Sequence, residues 1–190
     1  ATGHLGRLAI AALKARGAQP IALARDPARA ADLNVETRAF DYTSADPAAL
    51  AGVSTLVLIS SNDFNDRAGQ HRHVIAAARA AGVRRLVYTS ILKGDASPML
   101  LAQDHIATEA AIRASGLPAT ILRNGWYTEN YTGALAAALQ HGAIIGAAGE
   151  GRVNSAARKD YAEAIAVTAL DDAHTRSEEH TSELQSRHNL

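Results

Sequence analysis

Two glycines near the start of the chain have the spacing of a loop that holds phosphate groups. Gly3 and Gly6 lie in the stretch ATGHLG, which runs directly into the amphipathic segment RLAIAAL. Glycine lets a backbone approach a pyrophosphate and lets a helix pack closely on a sheet, and the free N–H groups at the helix start then bind the phosphates. A plain helix cap would show the same spacing. The candidate dinucleotide-binding residues are Thr2, Gly3, His4, Leu5 and Gly6.

An arginine follows the strand predicted at 21–24, at the position that sets cofactor choice in dinucleotide-binding proteins. Arg25 is 19 residues after Gly6 (25 − 6 = 19), where NAD-binding proteins usually carry Asp or Glu for the ribose hydroxyls. A guanidinium there can pair with the 2′-phosphate of NADP. The sequence therefore favours NADPH as the cofactor. The alternative is a solvated surface arginine beside Asp26.

Polar side chains follow other predicted strands, at the sheet edge where parallel α/β proteins bind ligands. Asp41 could meet the adenine amino group of the cofactor, or it could cap a turn. Ser60, Ser61 and Asn62 follow the next strand. Small polar side chains there allow a ribose to lie against the chain, although such clusters are also ordinary loop material.

The segment RNGWYTENY, which follows the strand predicted at 119–123, concentrates aromatic side chains. It holds the only tryptophan and two of the five tyrosines of a chain that is 4% aromatic. Aromatic residues gathered after a strand end favour a pocket lining over a core. Trp126 and Tyr127 are therefore the candidate substrate-contacting residues.

These residues need a scaffold of alternating strands and helices, and the sequence predicts one. Continuous apolar runs such as TLVLI are typical of strands buried on both faces of a parallel sheet, and glycines end several of the helical segments. The pattern predicts an α/β protein with a doubly wound, Rossmann-like parallel sheet, lacking its first strand and its C-terminal part in this chain. Helices are predicted at 3–16, 26–33, 47–50, 67–81, 101–114 and 132–141, and strands at 21–24, 35–40, 55–59, 85–89, 119–123 and 143–147.

The composition argues against several partners and chemistries. The 19 basic and 19 acidic residues balance, so nothing suggests nucleic acid or an anionic membrane, and no apolar run approaches the roughly 20 residues of a membrane span. Without cysteine, disulfides and thiolate metal sites are impossible, and a reducing cytoplasm is the expected location. His71 and His73 are two apart on a predicted helix and face different directions, so no metal site is predicted. The expected partner is a small molecule, and the oligomeric state is left open.

The end of the chain differs from the rest in its residue composition and pattern. Residues 176–190 begin RSEEHTSELQS, which has no helical or strand periodicity and resembles the translation of a sequencing-adapter oligonucleotide; a natural polar tail is the alternative. The sequence thus predicts a truncated NAD(P)-binding domain at 1–175 and a non-native tail at 176–190. We expect this polypeptide on its own to be poorly soluble and inactive, because the helix at 3–16 would have a bare apolar face.

Residues 1–169 resemble a known family through ATGHLG, ALARDPARAADL, LVLISS, QHRHVIAAARAAGV, YTS, RNGWYTENY and GAAGEGRVNSAARKDYAEA. They are similar to the NmrA-like branch of the atypical short-chain dehydrogenases, and within it to bacterial NADPH-dependent quinone oxidoreductases of type 2. The resemblance implies that Gly3 to Gly6 hold the pyrophosphate, that Arg25 holds the 2′-phosphate, and that Arg158 reaches the cofactor; an ion pair with Asp160 is the alternative. It implies a nicotinamide end bordered by Ser60, Ser61, Tyr127, Thr128, Glu129, Asn130, Tyr131 and Thr132.

One motif is missing, and its absence bears on the reaction. Short-chain dehydrogenases that act on alcohols or ketones use Tyr-x-x-x-Lys as a proton donor, but none of the five tyrosines has a lysine four residues later. A ketone needs such an acid, whereas hydride addition to a quinone leaves a weakly basic phenolate that solvent can protonate. The sequence therefore favours hydride transfer from NADPH to a small quinone; the alternative is an NmrA-like redox sensor that binds NADP(H) without turnover. Asp104 and His105 could supply a proton, or they could belong to a helix surface.

Overall fold

Strands and helices alternate along most of the chain. The computed structural model describes residues 1–144, 146 and 149–171, and the backbone of Glu179–Thr181. The helices are α1 (His4–Ala15), α2 (Arg67–Ala80), α3 (Ala102–Ser115), α4 (Glu129–Thr132), α5 (Leu135–His141) and α6 (Arg158–Leu170). The strands are β1 (Ala22–Ala24), β2 (Thr37–Ala39), β3 (Thr55–Leu58), β4 (Arg85–Ile91), β5 (Ala119–Asn124), β6 (Trp126–Tyr127), β7 (Ser155–Ala156) and β8 (Glu179–Thr181). None of the helices in this part of the chain is long and apolar enough to cross a bilayer.

All strand pairs that the structure describes are parallel. β1 pairs with β2, and a second sheet has the order β3-β4-β5-β8. The short strands β6 and β7 form a third pair. The α/β class and the parallel, Rossmann-like arrangement predicted from the sequence are confirmed.

Helices cover both faces of the central strands. Leu86 and Tyr88 of β4 point into a core formed with α2, α3 and β3, whereas Val87 packs on the other side with α1 and α6. Successive side chains of a strand point to opposite faces, and both faces of β4 are buried, so its central run Leu86, Val87 and Tyr88 shows no alternation of apolar and polar residues. This double burial explains why apolar runs without alternation marked the strands in the sequence.

A slot lined mainly by apolar residues separates the β1-β2 pair from the four-stranded sheet. A cavity of about 350 Å³ opens among α1, β1 and β3, and Ile10, Leu23 and Leu56 are among the residues that line it. β1 and β3 do not pair with each other.

Several predicted elements differ from those in the structure. The helix predicted at 132–141 is confirmed as α5 (Leu135–His141), which ends before Gly142 as predicted but begins three residues later; Gly133 and Ala134 separate it from the short helix α4. The helix predicted at 26–33 is a 3-10 helix, Pro27–Leu33, which the side chain of Asp26 caps. The strand predicted at 143–147 falls partly outside the described residues. In the tail, where no regular structure was expected, the backbone of Glu179–Thr181 pairs with β5.

Candidate functional site

A large cleft lies at the carboxyl ends of the central strands. Its volume is about 1,500 Å³, and it collects side chains that follow β1, β3, β4 and β5. Parallel α/β sheets bind their ligands at this edge. Residues that the sequence analysis singled out and that line the cleft are Thr2, Gly3, His4, Leu5, Gly6, Arg25, Asp41, Ser60, Ser61, Asn62, Trp126, Tyr127, Asn130, Tyr131 and Arg158.

The glycine loop has the backbone geometry of an anion site. Gly3 caps α1, and the Arg7 N–H makes the first intrahelical bond to the Gly3 carbonyl at 3.0 Å, so the amides of the first three helical residues have no partner within the helix. A Cβ at Gly3 would meet nothing within 4 Å, whereas one at Gly6 would lie 2.7 Å from the Ala1 carbonyl oxygen. Gly6 is thus required by close packing, and Gly3 leaves open space for a ligand. With no acidic residue in the first turn, the helix start fits a pyrophosphate.

Arg25 and Asp41 stand on the same side of the cleft. Arg25 is exposed directly after β1, as the sequence predicted. Asp41 Oδ1 accepts hydrogen bonds from the amide and the hydroxyl of Thr43, both at 2.9 Å. The Thr43 amide, and to a smaller extent the charge of Arg25, hold the pKa of Asp41 below its usual value. The turn-capping role of Asp41 is therefore present in the structure, and its contact with adenine stays a prediction.

The loop after β3 is fixed by side chains from neighbouring elements. The Ser60 amide donates to Thr89 Oγ1 at 3.0 Å, and the Ser61 amide donates to His71 Nε2 at 3.0 Å. Asn62 is exposed. All three residues line the cleft, and these hydrogen bonds hold the backbone of Ser60 and Ser61.

The aromatic segment forms the other wall. Trp126 is 42% exposed, and the ring of Tyr127 contacts the edge of Tyr161 with ring centroids 5.4 Å apart. The guanidinium of Arg158 lies 4.7 Å from the Tyr127 ring centroid. Phe64 is also exposed at this cleft. This wall offers flat apolar surface, which suits an aromatic ligand.

Arg158 is held by Glu129 and Asn130 of α4. Its backbone N–H donates to both carboxylate oxygens of Glu129, at 2.9 and 3.1 Å, and its Nη2 donates to Asn130 Oδ1 at 3.0 Å. Its ion-pair partner is Glu129, with Nη1 4.0 Å from Oε2, and not Asp160 as the alternative interpretation supposed. Thr128, Glu129 and Thr132 are not among the residues that line the cleft, so their contact with a cofactor stays a prediction.

His105 is not on a helix surface, and that interpretation of the sequence is wrong. The side chain is 5% exposed, it lines the cleft, and its Nδ1 lies 2.8 Å from the hydroxyl of the fully buried Tyr88. Burial, and then the positive charge of Arg67, lower the pKa of His105 to about 4. The imidazole is therefore neutral at pH 7, because α3 turns this residue onto β4 and away from solvent.

Two residues at the start of α2 belong to the cleft although no motif in the sequence predicted them. Arg67 and Gln70 are buried and line the cleft, and Gln70 Nε2 donates to Asp63 Oδ2 at 2.5 Å. The available signal was the run DRAGQH, which begins a few residues after the polar strand end. The histidines of this helix do face different directions as predicted, since His71 is fully buried and His73 is exposed. Among the residues that the structure describes, no three potential metal ligands stand together.

A buried ion pair lies behind the cleft. Glu109, 2% exposed, accepts from Arg123 Nη2 at 2.9 Å and from Ser90 Oγ at 2.6 Å. Burial opposes its ionisation, but the hydrogen bonds and charges of Arg123 and its other partners outweigh that effect and hold the pKa of Glu109 below its usual value. Ser90 lines the cleft, so this pair supports one wall.

Replacing Glu109 with Gln should destabilise the fold strongly. The change removes the charge opposite the buried guanidinium of Arg123, and losing one member of a buried pair typically costs about 3–5 kcal/mol. Arg113, which contacts the same carboxylate at 3.0 Å but is 55% exposed, is the matched control; Arg113→Gln should cost less than about 1 kcal/mol. Urea denaturation measures both. Equal losses of unfolding free energy in the two variants would show that burial does not determine how much an ion pair of Glu109 stabilises the fold.

Comparisons with known proteins agree with this geometry. Residues 1–173 match the family described as NAD(P)H-binding. The chain is 47% identical over 181 residues to quinone oxidoreductase 2 of Escherichia coli (strain K12), covering 92% of this chain and 63% of that protein. It is 30% identical over 175 residues to the NAD(P)H azoreductase of Xenophilus azovorans, covering 89% and 60%. The chain thus spans less than two thirds of the length of these relatives.

Two solved structures with bound cofactor resemble this one closely. The NADPH-dependent quinone oxidoreductase of Escherichia coli in complex with NADPH superposes with a TM-score of 0.88 at 45% identity, covering 96% of this chain and 67% of that one. The triphenylmethane reductase of Citrobacter sp. in complex with NADP(H) gives a TM-score of 0.85 at 39% identity, covering 93% and 65%. The resemblance to type-2 quinone oxidoreductases seen in the sequence is confirmed. With its glycine loop, its parallel sheet and this cleft, the chain belongs to the NAD(P)H-binding family.

Proposed function

We propose that the protein transfers hydride from NADPH to a small quinone. The observation that carries the proposal is one continuous cleft with a phosphate-binding helix start and Arg25 at one end and exposed aromatic side chains at the other. The first end suits a cofactor with a 2′-phosphate, and the second suits a flat acceptor. The relatives named as quinone oxidoreductases support the same reaction. A cytoplasmic location, expected from the sequence, is part of this proposal.

The chain's own residues would bind and orient both reactants. The amides at the start of α1 hold the pyrophosphate, Arg25 pairs with the 2′-phosphate, and Ser60 and Ser61 border the nicotinamide end. NADPH supplies the hydride when bound. Trp126 and Tyr127 present apolar ring surface against which a quinone can stack, which fixes its distance and excludes water.

Protonation of the product needs no dedicated acid. Hydride addition leaves negative charge on a quinone oxygen, and the resulting phenolate is weakly basic, so solvent can protonate it. His105 stands at the cleft as a neutral imidazole, which can donate a hydrogen bond but is a poor source of a full proton at neutral pH. This accounts for a reductase without a Tyr-x-x-x-Lys motif.

Quinone turnover is the direct test. The protein expressed from its complete reading frame should oxidise NADPH when benzoquinones or naphthoquinones are added, as followed by the loss of absorbance of the reduced nicotinamide. NADPH without a quinone should be stable in the same solution. Tight NADPH binding in a calorimeter, together with no turnover by any quinone of the panel, would instead favour the redox sensor.

A further inference from the structure

A buried histidine connects the cleft loop to two helices. His71 of α2 is fully buried and is not among the residues that line the cleft. Its Nε2 lies 3.0 Å from the Ser61 amide nitrogen, and its Nδ1 lies 2.9 Å from Thr108 Oγ1 on α3. A backbone N–H can only donate, so Nε2 is the acceptor and the ring proton is on Nδ1. The Thr108 hydroxyl then donates to the Asp104 carbonyl at 2.7 Å.

This arrangement requires a neutral ring, and the surroundings keep it neutral. Burial is the main cause that lowers the pKa of His71 to about 3; repulsion from His105, once that ring is itself protonated in acid, and from the charge of Arg67 adds to it. A protonated ring would carry hydrogen on both nitrogens, and it could no longer accept from the Ser61 amide. The three hydrogen bonds from Ser61 to Asp104 therefore share one direction: Ser61 donates to His71, His71 donates to Thr108, and Thr108 donates to the Asp104 carbonyl.

Both backbone polar groups of Ser61 are hydrogen-bonded, whereas its hydroxyl is not paired within the described part of the chain. Its carbonyl accepts from Arg67 Nε at 2.7 Å, while its amide donates to His71. Its Oγ is buried and has no hydrogen-bond partner among the residues that the structure describes, although Ser61 lines the cleft. A buried polar group that is left unpaired destabilises the protein. A bound molecule that pairs with this hydroxyl would remove that destabilisation.

We propose that His71 is a positioning residue for the cofactor site: it fixes the peptide of Ser61 so that the Ser61 hydroxyl is held for bound NADPH. The inference rests on the proposed binding of NADPH, but not on quinone turnover. His71 touches neither cofactor nor substrate. It acts through the Ser61 backbone. Arg67 holds the carbonyl of the same residue, and Thr108 orients the His71 ring.

If the His71 ring served only for packing, the substitutions at this position would have different effects. His71 also contacts the rings of Tyr42 and Tyr88, with centroids 6.2 and 5.6 Å apart. If packing were its only purpose, leucine would serve nearly as well as glutamine. If positioning is its purpose, glutamine should restore function, because its side-chain carbonyl can accept from the Ser61 amide, whereas leucine cannot.

The experiment compares His71→Leu, His71→Gln, Ser61→Ala and the Ser61→Ala/His71→Leu double variant, with NADPH as the probe. One hydrogen bond corresponds to about a tenfold change in affinity, so His71→Leu and Ser61→Ala should each weaken NADPH binding about tenfold. Residues that act through one contact are not additive, and the double variant should be no weaker than about tenfold. His71→Gln should stay within about threefold of the parent protein. Calorimetry measures the dissociation constants of the four variants and of the parent protein.

A second readout uses the free protein. The Ser61 amide should exchange its hydrogen about ten times faster in His71→Leu than in the parent and in His71→Gln, because its acceptor is gone. Should His71→Leu not fold, Thr108→Val keeps the ring and removes the hydroxyl that orients it, together with the bond from that hydroxyl to the Asp104 carbonyl within α3. It should then speed Ser61 exchange and weaken NADPH binding by a smaller factor, about threefold.

Three results would overturn the inference. They are a double variant whose losses multiply to about a hundredfold, glutamine performing no better than leucine, and unchanged Ser61 exchange in Thr108→Val. A protein that shows the expected binding pattern but reduces no quinone would contradict the proposed function and leave the positioning role standing. A protein that reduces quinones, but whose double variant loses NADPH affinity by the product of the two single losses, would contradict the positioning role and leave the proposed function standing.

Discussion

Replacing Arg25 with glutamate is expected to weaken NADPH binding by about 100-fold or more. The change removes a charge-assisted hydrogen bond to the 2′-phosphate and places a negative charge in its position, for a combined cost of about 3 kcal/mol or more. Arg25 follows β1 at the cleft edge and is exposed, so the substitution should leave the fold intact. Calorimetric titration with NADPH measures the loss.

NADH provides the internal comparison for this substitution. It has a ribose hydroxyl where NADPH has the phosphate, and an acidic side chain at this position commonly accepts from that hydroxyl. Arg25→Glu should therefore bind NADH as well as the parent protein does, or better. Arg84→Glu, the same charge change at an exposed position before β4 and outside the cleft lining, should leave both affinities unchanged. An equal loss for NADPH and NADH would contradict a contact with the 2′-phosphate.

Acidification from pH 7 to pH 5 is expected to lower the free energy of unfolding by about 4 kcal/mol through two buried histidines. Burial is the main cause that lowers the pKa of His71 to about 3 and that of His105 to about 4, whereas a histidine in the unfolded chain has a pKa of about 6.5. Between those values the unfolded chain holds more protons, so stability rises with pH in this window and is lost as the pH falls. Each histidine contributes about 2 kcal/mol over this range.

Urea denaturation at several pH values separates these histidines from other groups. His71→Gln should remove about half of the pH-dependent loss between pH 7 and pH 5. His73→Gln, at an exposed position on the same helix, should leave the loss unchanged. If both variants keep the full pH dependence of the parent protein, acid sensitivity arises elsewhere in the fold.

Much of the scaffold could be predicted from local sequence patterns. Apolar runs marked β3, β4 and β5 because both faces of these strands are buried, and a glycine with positive φ ends α3 at Gly116 and α5 at Gly142. The glycine loop and Arg25 were predicted for the same reason: their signal is a spacing within a short stretch of chain. The structure places them at one cleft because the carboxyl ends of parallel strands share an edge.

Pairings between distant residues were decided only in the folded molecule. Glu129 and Arg158 are 29 residues apart, and Ser61 is bound by a histidine 10 residues later that is itself oriented from α3. No local periodicity encodes such contacts, and β6 and β7 are two residues each, too short to leave a pattern. His105 was judged by its neighbours in sequence, whereas its environment is set by Tyr88 on another element.

The sequence by itself determined the order of the elements, the phosphate-binding turn and the positive charge that favours NADPH, because each of these depends on residue types at fixed short spacings. Only the tertiary structure decided which polar side chains are buried, which tautomer His71 adopts and which residues of the aromatic segment face the cleft. The first two depend on how α2 and α3 pack against β4, and the third depends on the pairing of β6 with β7 and on contacts with α6. Burial and partner geometry, and not residue type alone, set the charge and orientation of a histidine or a carboxylate.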